Sequence, residues 1–213
     1  ATHFGLKELS YIFIIMCRCF RFFSLVSLLI LSIKIPATAQ IETGEIPYSL
    51  SLKKAFPEPP VITLPEYDYD ELRKESLAED RLKLLRYAKM IDVDIPLKEK
   101  ARALPLSEGT LYRLVVRSKG AHSLSLVFNE FRIPEGAKLF VYNEQHTHIR
   151  GAFTSHNNKP SEVFPVAPVK GDLIIIEYFE PNNRAFGGKL RLGKVGHDFL
   201  GILDYQRKAA SEF

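Results

Sequence analysis

The chain has 213 residues, 46% of them hydrophobic, and a formal charge of +4. That length holds one ordinary domain with appendages, and that apolar content excludes a disordered chain. The positive charge is no argument for nucleic acid: Lys7, Arg18, Arg21 and Lys34 against Glu8 supply most of it within residues 1–39, and the remainder is almost neutral, without a clustered basic face.

The first segment reads as a leader. Met16 opens a stretch with Arg18 and Arg21, then twelve residues without a charge, 22–33. Ala37-Thr38-Ala39 and Gln40 follow. A basic start, a short apolar core and an A-x-A site predict a secretory signal peptide beginning at Met16, with Ala37, Ala39 and Gln40 at the cleavage site. The competing reading is an uncleaved signal anchor, but twelve apolar residues fall short of the roughly 20 that a membrane span needs. Contact with the membrane is then transient, through the signal peptide. The expected location is secreted, periplasmic or on the cell surface of a bacterium. Residues 1–15 lie upstream of this start. Both cysteines, Cys17 and Cys19, lie in the leader. The exported part therefore relies on packing and not on disulfides. It has no thiol for cysteine-protease chemistry, and two ligands alone do not close a zinc site.

Residues 40–83 form a proline-rich and acidic extension. Pro47, Pro57, Pro59, Pro60 and Pro65 interrupt any long element. Residues 48–52 are expected to form a short strand and 57–60 an extended, polyproline-like stretch. Glu66, Asp68, Asp70, Glu71, Glu75, Glu79 and Asp80 then gather around Arg73, Lys74 and Arg81, and residues 70–77 can make two helical turns. Oxygen ligands are dense enough to suggest calcium. However, the spacing departs from the EF-hand loop and lacks its central glycine, so a solvated charged segment is the better reading.

Residues 84–199 read as a β-domain organised around residues 109–142. Tyr112, Leu114 and Val116 alternate with Arg113, Val115 and Arg117. Leu124, Leu126 and Phe128 alternate with Ser123, Ser125 and Val127. Period two with one apolar face marks strands whose other face is wetter. Lys119-Gly120 supplies the reversal between them, and Pro134-Glu135-Gly136 precedes a further apolar run at 137–142. Upstream, Ile91, Val93 and Ile95 alternate with Met90, Asp92 and Asp94, and 98–102 is a basic turn region. Downstream, 149–154 is a short strand, and 173–179 (LIIIEYF) is a central strand covered on both faces. Leu190 and Leu192 alternate with Lys189 and Arg191. About eight short, turn-punctuated strands predict an all-β fold, an antiparallel β-sandwich of jelly-roll type, with a short helical or irregular amino-terminal extension. Residues 200–213 are a tail.

Little in the β-domain suggests chemistry. Ser118 or Ser123 can be grouped with His197 and Asp198 on paper. No G-x-S-x-G elbow supports a triad, and adjacent residues on a strand point to opposite faces. His146 and His148 would share a strand face, with His156 nearby, but no H-E-x-x-H and no third ligand accompany them. No glycine-rich loop opens a helix to cradle phosphate. No catalytic residue, metal ligand or cofactor is assigned. The basic residues are interspersed with acids and not striped with stacking aromatics, so nucleic acid is not a partner.

Taken in order, a set of segments is informative. They are Pro47-Tyr48-Ser49-Leu50, Ala78-Glu79-Asp80, Arg86-Tyr87-Ala88, Gly109-Thr110-Leu111-Tyr112-Arg113-Leu114 and Ser118-Lys119-Gly120-Ala121-His122-Ser123-Leu124. Then come Phe131-Arg132-Ile133-Pro134-Glu135-Gly136-Ala137-Lys138-Leu139-Phe140, Gly151-Ala152-Phe153-Thr154, Pro168-Val169-Lys170-Gly171-Asp172 and Ile176-Glu177-Tyr178-Phe179-Glu180-Pro181. Together they resemble the amino-terminal pro-region of secreted bacterial trypsin-like serine proteases, the lysyl-endopeptidase-like precursors. The similarity runs over most of residues 40–197. Tyr112 stands where many members have tryptophan. In that family a chymotrypsin-like catalytic domain follows, and these 213 residues contain neither its G-D-S-G-G nor its A-A-H-C box. The resemblance therefore implies a truncated, fragmentary or orphan copy of a propeptide from a serine protease precursor. Such a chain would not be an enzyme. Its partner would be the cognate catalytic domain, whose folding it would assist or which it would shield. The acidic residues at 66–80 or a sandwich face would make the contact. The alternative is a stand-alone secreted adhesion or carbohydrate-binding sandwich, with Tyr67, Tyr69, Tyr142 and Tyr178 as its aromatic platform. A third reading is an enzyme with a cryptic site.

Overall fold

The computed structural model describes residues 42–52, 56–78 and 86–204. The signal peptide with Ala37, Ala39 and Gln40, the acidic residues Glu79 and Asp80, and most of the tail lie outside the described residues. Ten strands are described: β1 (Val61–Thr63), β2 (Ala88–Pro96), β3 (Arg102–Pro105), β4 (Gly109–Arg117), β5 (Ser123–Arg132), β6 (Lys138–Asn143), β7 (Ile149–Phe153), β8 (Phe164–Lys170), β9 (Leu173–Pro181) and β10 (Lys189–Asp198). Three α-helices and one 3-10 turn accompany them among the described residues: α1 (Tyr48–Ser51), α2 (Tyr69–Ala78), α3 (Leu97–Lys100) and the turn Ser155–Asn157.

The strands form two sheets packed as a sandwich. One runs β1-β4-β9-β6-β7, with β3 also on β4, and the other runs β2-β10-β5-β8. The antiparallel pairs nest: β2 with β10, β4 with β9, β5 with β8, β6 with β7. One long hairpin, folded at the turn between β6 and β7, is thus rolled up, and β5–β10 and β6–β9 pairing closes the roll. This is the jelly-roll arrangement.

The alternation read from the sequence sets the inner face. Leu114 and Val116 of β4, Leu124, Leu126 and Phe128 of β5, Ile174, Ile176 and Tyr178 of β9, and Leu190 and Leu192 of β10 share one core. Phe164 ties the layers together, stacked on Phe131 at 4.2 Å and edge-on to Phe153 at 5.0 Å. β9 sits in the middle of its sheet and is buried along nearly its whole length. Gly120, at φ +81° and in open space, carries the chain from β4 to β5; the two strands do not pair but lie in different sheets, so the expected hairpin is a crossing between the layers. Gly109 is a glycine for another reason: a Cβ there would lie 2.2 Å from the Glu180 carbonyl oxygen.

Four further local expectations change. Residues 48–51 form a helical turn and not a strand, because Leu50 and Ser51 N–H groups donate back to the Pro47 carbonyl. The proline-rich stretch contains β1, which runs parallel to β4 in register Val61–Val115. The basic region at 98–102 is α3 followed by β3. β8 carries Pro165 and Pro168 and was not legible as a strand. It lies at a sheet edge, where a missing N–H costs least.

The outer face of the β4–β9–β6 sheet is also drier than its alternation suggests. Val115, Phe140, Tyr142, Ala152 and Ile175 form a second buried cluster, and Tyr48 packs on it. Residues 42–52 lie across this face as a strap. Arg150 pairs with Glu42 at 3.9 Å, Gly44 N–H donates to the Gly151 carbonyl, and Lys138 pairs with Glu45.

Candidate functional site

Two polar clusters and one acidic helix are the chemistry-bearing features of the described residues. The first cluster lies under the strap. Glu177 is a carboxylate in the middle of β9 with no exposed surface. Its Oε1 accepts from Ser49 N–H at 3.1 Å and its Oε2 from the Tyr142 hydroxyl at 2.8 Å, while Arg113 Nε lies 3.5 Å away. Tyr142 in turn accepts from Ser49 Oγ at 2.9 Å. Burial, and then the Glu177 charge, push the Tyr142 hydroxyl far above its usual pKa, so it is a proton donor at every physiological pH. Tyr48 completes the contact by stacking on Phe179 at 4.3 Å. Beside it a groove of about 660 Å³ opens between Tyr48, Leu52, Phe179 and the loop 105–108.

A sister carboxylate, Glu180, is nearly buried at the end of the same strand. It takes Lys98 at 2.9 Å, Arg184 at 2.7 Å, the Tyr178 hydroxyl at 3.0 Å and Gly188 N–H at 3.2 Å. Every contact is internal, so both carboxylates act as fasteners of the fold. Neither was singled out in the sequence. The signal was present, a charge inside LIIIEYFE, but its partners lie far away along the chain.

The second cluster lies at one end of the sandwich. Ser118 Oγ and His197 Nδ1 share a 2.8 Å hydrogen bond, and both residues are fully buried. The Tyr69 ring of α2 covers His197, with centroids 3.5 Å apart and planes 5° from parallel. His197 Nε2 has no hydrogen-bond partner. Burial holds the imidazole down to a pKa of about 4. Asp198 points elsewhere, accepting from Ser123 Oγ at 2.6 Å and from the N–H groups of Leu200, Gly201 and Ile202. The four residues that form a triad on paper are therefore two separate pairs, serine with histidine and serine with aspartate. The carboxylate that would orient the histidine is spent on capping the chain after β10.

The acidic residues are divided. Glu66 pairs with Lys119 at 3.1 Å and Glu75 with Arg86 at 3.9 Å. Asp68 Oδ1 accepts from Glu71 N–H at the start of α2, where Asp70 and Glu71 also favour the positive end of the helix dipole. Asp70 and Glu71 are exposed. The helix is fastened by Tyr69 on His197 and by Ser76 Oγ, which donates to the Arg86 carbonyl at 2.5 Å.

The tyrosines do not make a platform. Tyr142 and Tyr178 are fully buried, Tyr69 faces His197, and Tyr67 is 40% exposed with Lys89 over its ring. The histidines of the β6–β7 region are also dispersed. His148 Nδ1 accepts from Lys170 N–H, and His156 lies beside Thr154. Among the described residues no three His, Cys, Asp or Glu side chains gather as a metal site, and no helix is long and apolar enough to cross a membrane.

No protein-family model matches the chain, and no solved structure matches it.

Proposed function

We propose that this chain is a non-catalytic, exported pro-domain that binds the catalytic domain of a trypsin-like serine protease of the lysyl-endopeptidase type, assisting its folding or shielding it. The observation that supports this reading is the way the resembling segments pack. Scattered along the sequence, several of them meet in pairs among the described residues. Tyr48 and Ser49 seat on Phe179 and Glu177. Gly109 lies against the Glu180 carbonyl, where no side chain fits. Ser118 N–H donates to the Asp172 carbonyl, and Gly171 N–H to the His122 carbonyl. Several of the motifs that carry the resemblance thus help to hold this sandwich together.

A domain of this kind acts by mass action. Binding the folded protease and not the unfolded chain lowers the free energy of the folded state. Asp70 and Glu71 at the start of α2 are exposed carboxylates, of the charge that a specificity pocket receiving basic side chains would meet, although Arg73 and Lys74 lie exposed beside them. The stand-alone carbohydrate-binding reading is weaker, because three of its four tyrosines are turned inward. A denatured catalytic domain of a lysyl-endopeptidase-like protease, refolded with and without equimolar chain, tests the proposal. The expected result is a higher yield or rate of active enzyme with the chain present. Identical yield and rate over a range of chain concentrations would count against it.

A further inference from the structure

We propose that the Tyr69–His197 stack is an acid-sensitive latch: it holds the acidic helix α2 on the end of the sandwich in neutral solution and releases it when the His197 ring is protonated. This inference rests on the fold and stands whether or not the protease reading does.

The geometry is that of a closed lid over a titratable ring. One face of the imidazole is covered by Tyr69 at 3.5 Å. Nδ1 is held by Ser118 Oγ, and Nε2 is buried with nothing to bond. The Tyr69 hydroxyl is also buried without a well-formed hydrogen bond, with Ser118 beside it. A neutral imidazole tolerates this enclosure. An imidazolium carries two N–H donors, and only one of them has an acceptor in reach. Its attraction to the tyrosine face favours staying closed. The unsolvated second N–H and the enclosed charge favour opening, because water can then hydrate both.

The charges around the ring are mixed. From β2, Lys89 is the cross-strand neighbour of His197, with its ammonium 5.4 Å from the centre of the Tyr67 ring. From the β4–β5 turn, His122 opposes a charge on the His197 ring. Asp198 on β10 and Asp172 in the β8–β9 turn favour the imidazolium electrostatically, but neither is hydrogen-bonded to it. Burial outweighs them, and the folded ring titrates near 4 against an ordinary 6.5. The sign follows. A depressed histidine gives its full closing contribution above the free value and loses it as pH falls towards the folded one. Between about pH 7.5 and about pH 4.5 the open-to-closed ratio is expected to rise on the order of 100-fold.

Nuclear magnetic resonance on the full chain tests the latch. The His197 ring protons, shifted by the Tyr69 ring current, are followed with the α2 amides and the β9 amides from about pH 7.5 to about pH 4. The expected result is that the ring-current shift collapses and the α2 amides move with one shared midpoint, while β9 stays native. In His197→Asn, which keeps a polar partner for Ser118 but cannot titrate, α2 is expected to stay closed over the whole range. In His122→Gln the midpoint is expected to stay within a few tenths of a unit. Three results overturn the proposal: His197 protonates with Tyr69 still stacked, α2 remains closed down to pH 4, or α2 opens only together with β9. An unchanged midpoint in His197→Asn would do the same.

Discussion

Glu177 shows how much one side chain decides here. A carboxylate with no exposed surface is costly unless its lone pairs are filled and its charge is balanced. Ser49 N–H, the Tyr142 hydroxyl and Arg113 do both. Removing it leaves the Arg113 charge and the Tyr142 hydroxyl in a dry layer without their partner. Glu177→Ala is expected to lower stability by about 3–5 kcal/mol, seen as a lower urea midpoint with little change in slope. A loss below about 1 kcal/mol would mean that water already reaches the cluster. The residue was legible in the sequence only as an oddity, one acid in an apolar strand. What it binds was not, because Ser49 and Arg113 reach it through the tertiary fold. The serine–histidine contact was half legible. Ser118 and His197 were named as possible partners, but their enclosure by Tyr69 depends on where α2 lands, and no periodicity carries that.

At the scale of elements, alternation served well wherever one sheet face meets the core. It predicted the inner residues of β4, β5 and β10, and the length and centrality of β9. It failed where proline interrupts the pattern, as in β1 and β8, and where a segment is ordered by its contacts. The strap is the clearest case. Residues 48–51 have no cross-strand neighbour, so the local bonds to Pro47 win and the stretch coils into α1. Tyr48 then anchors it by stacking on Phe179 and packing over the second cluster. Tyr48→Ala is expected to cost about 2–3 kcal/mol from lost area and stacking, and to make residues 42–52 the first site cut in limited proteolysis. If the strap is cut no faster than in the wild type, Ser49 and the ion pairs hold it without the aromatic contact. The acidic helix was placed correctly along the chain. Its fastening was not foreseen, since Ser76 and Tyr69 carry no signal of their own.

At the scale of the molecule, the sandwich follows from the number, length and alternation of the strands. The nested pairing does not. β2 meets β10 across almost the whole domain, and β4 meets β9 across four intervening strands. Contacts of that range are set by which faces must be buried together, and a single sequence states the faces but not the pairs. The fold by itself assigns no activity. In the proposed function the molecule acts by holding another protein. The measurement that tests it most directly is calorimetric titration of the chain with a folded, active-site-blocked catalytic domain of a lysyl-endopeptidase-like protease at neutral pH. The expected result is a one-to-one complex with a Kd of about 1 μM or tighter, near −8 kcal/mol, weakened by salt if the carboxylates of α2 take part. No complex at about 100 μM of each protein, with both shown to be folded, would contradict it.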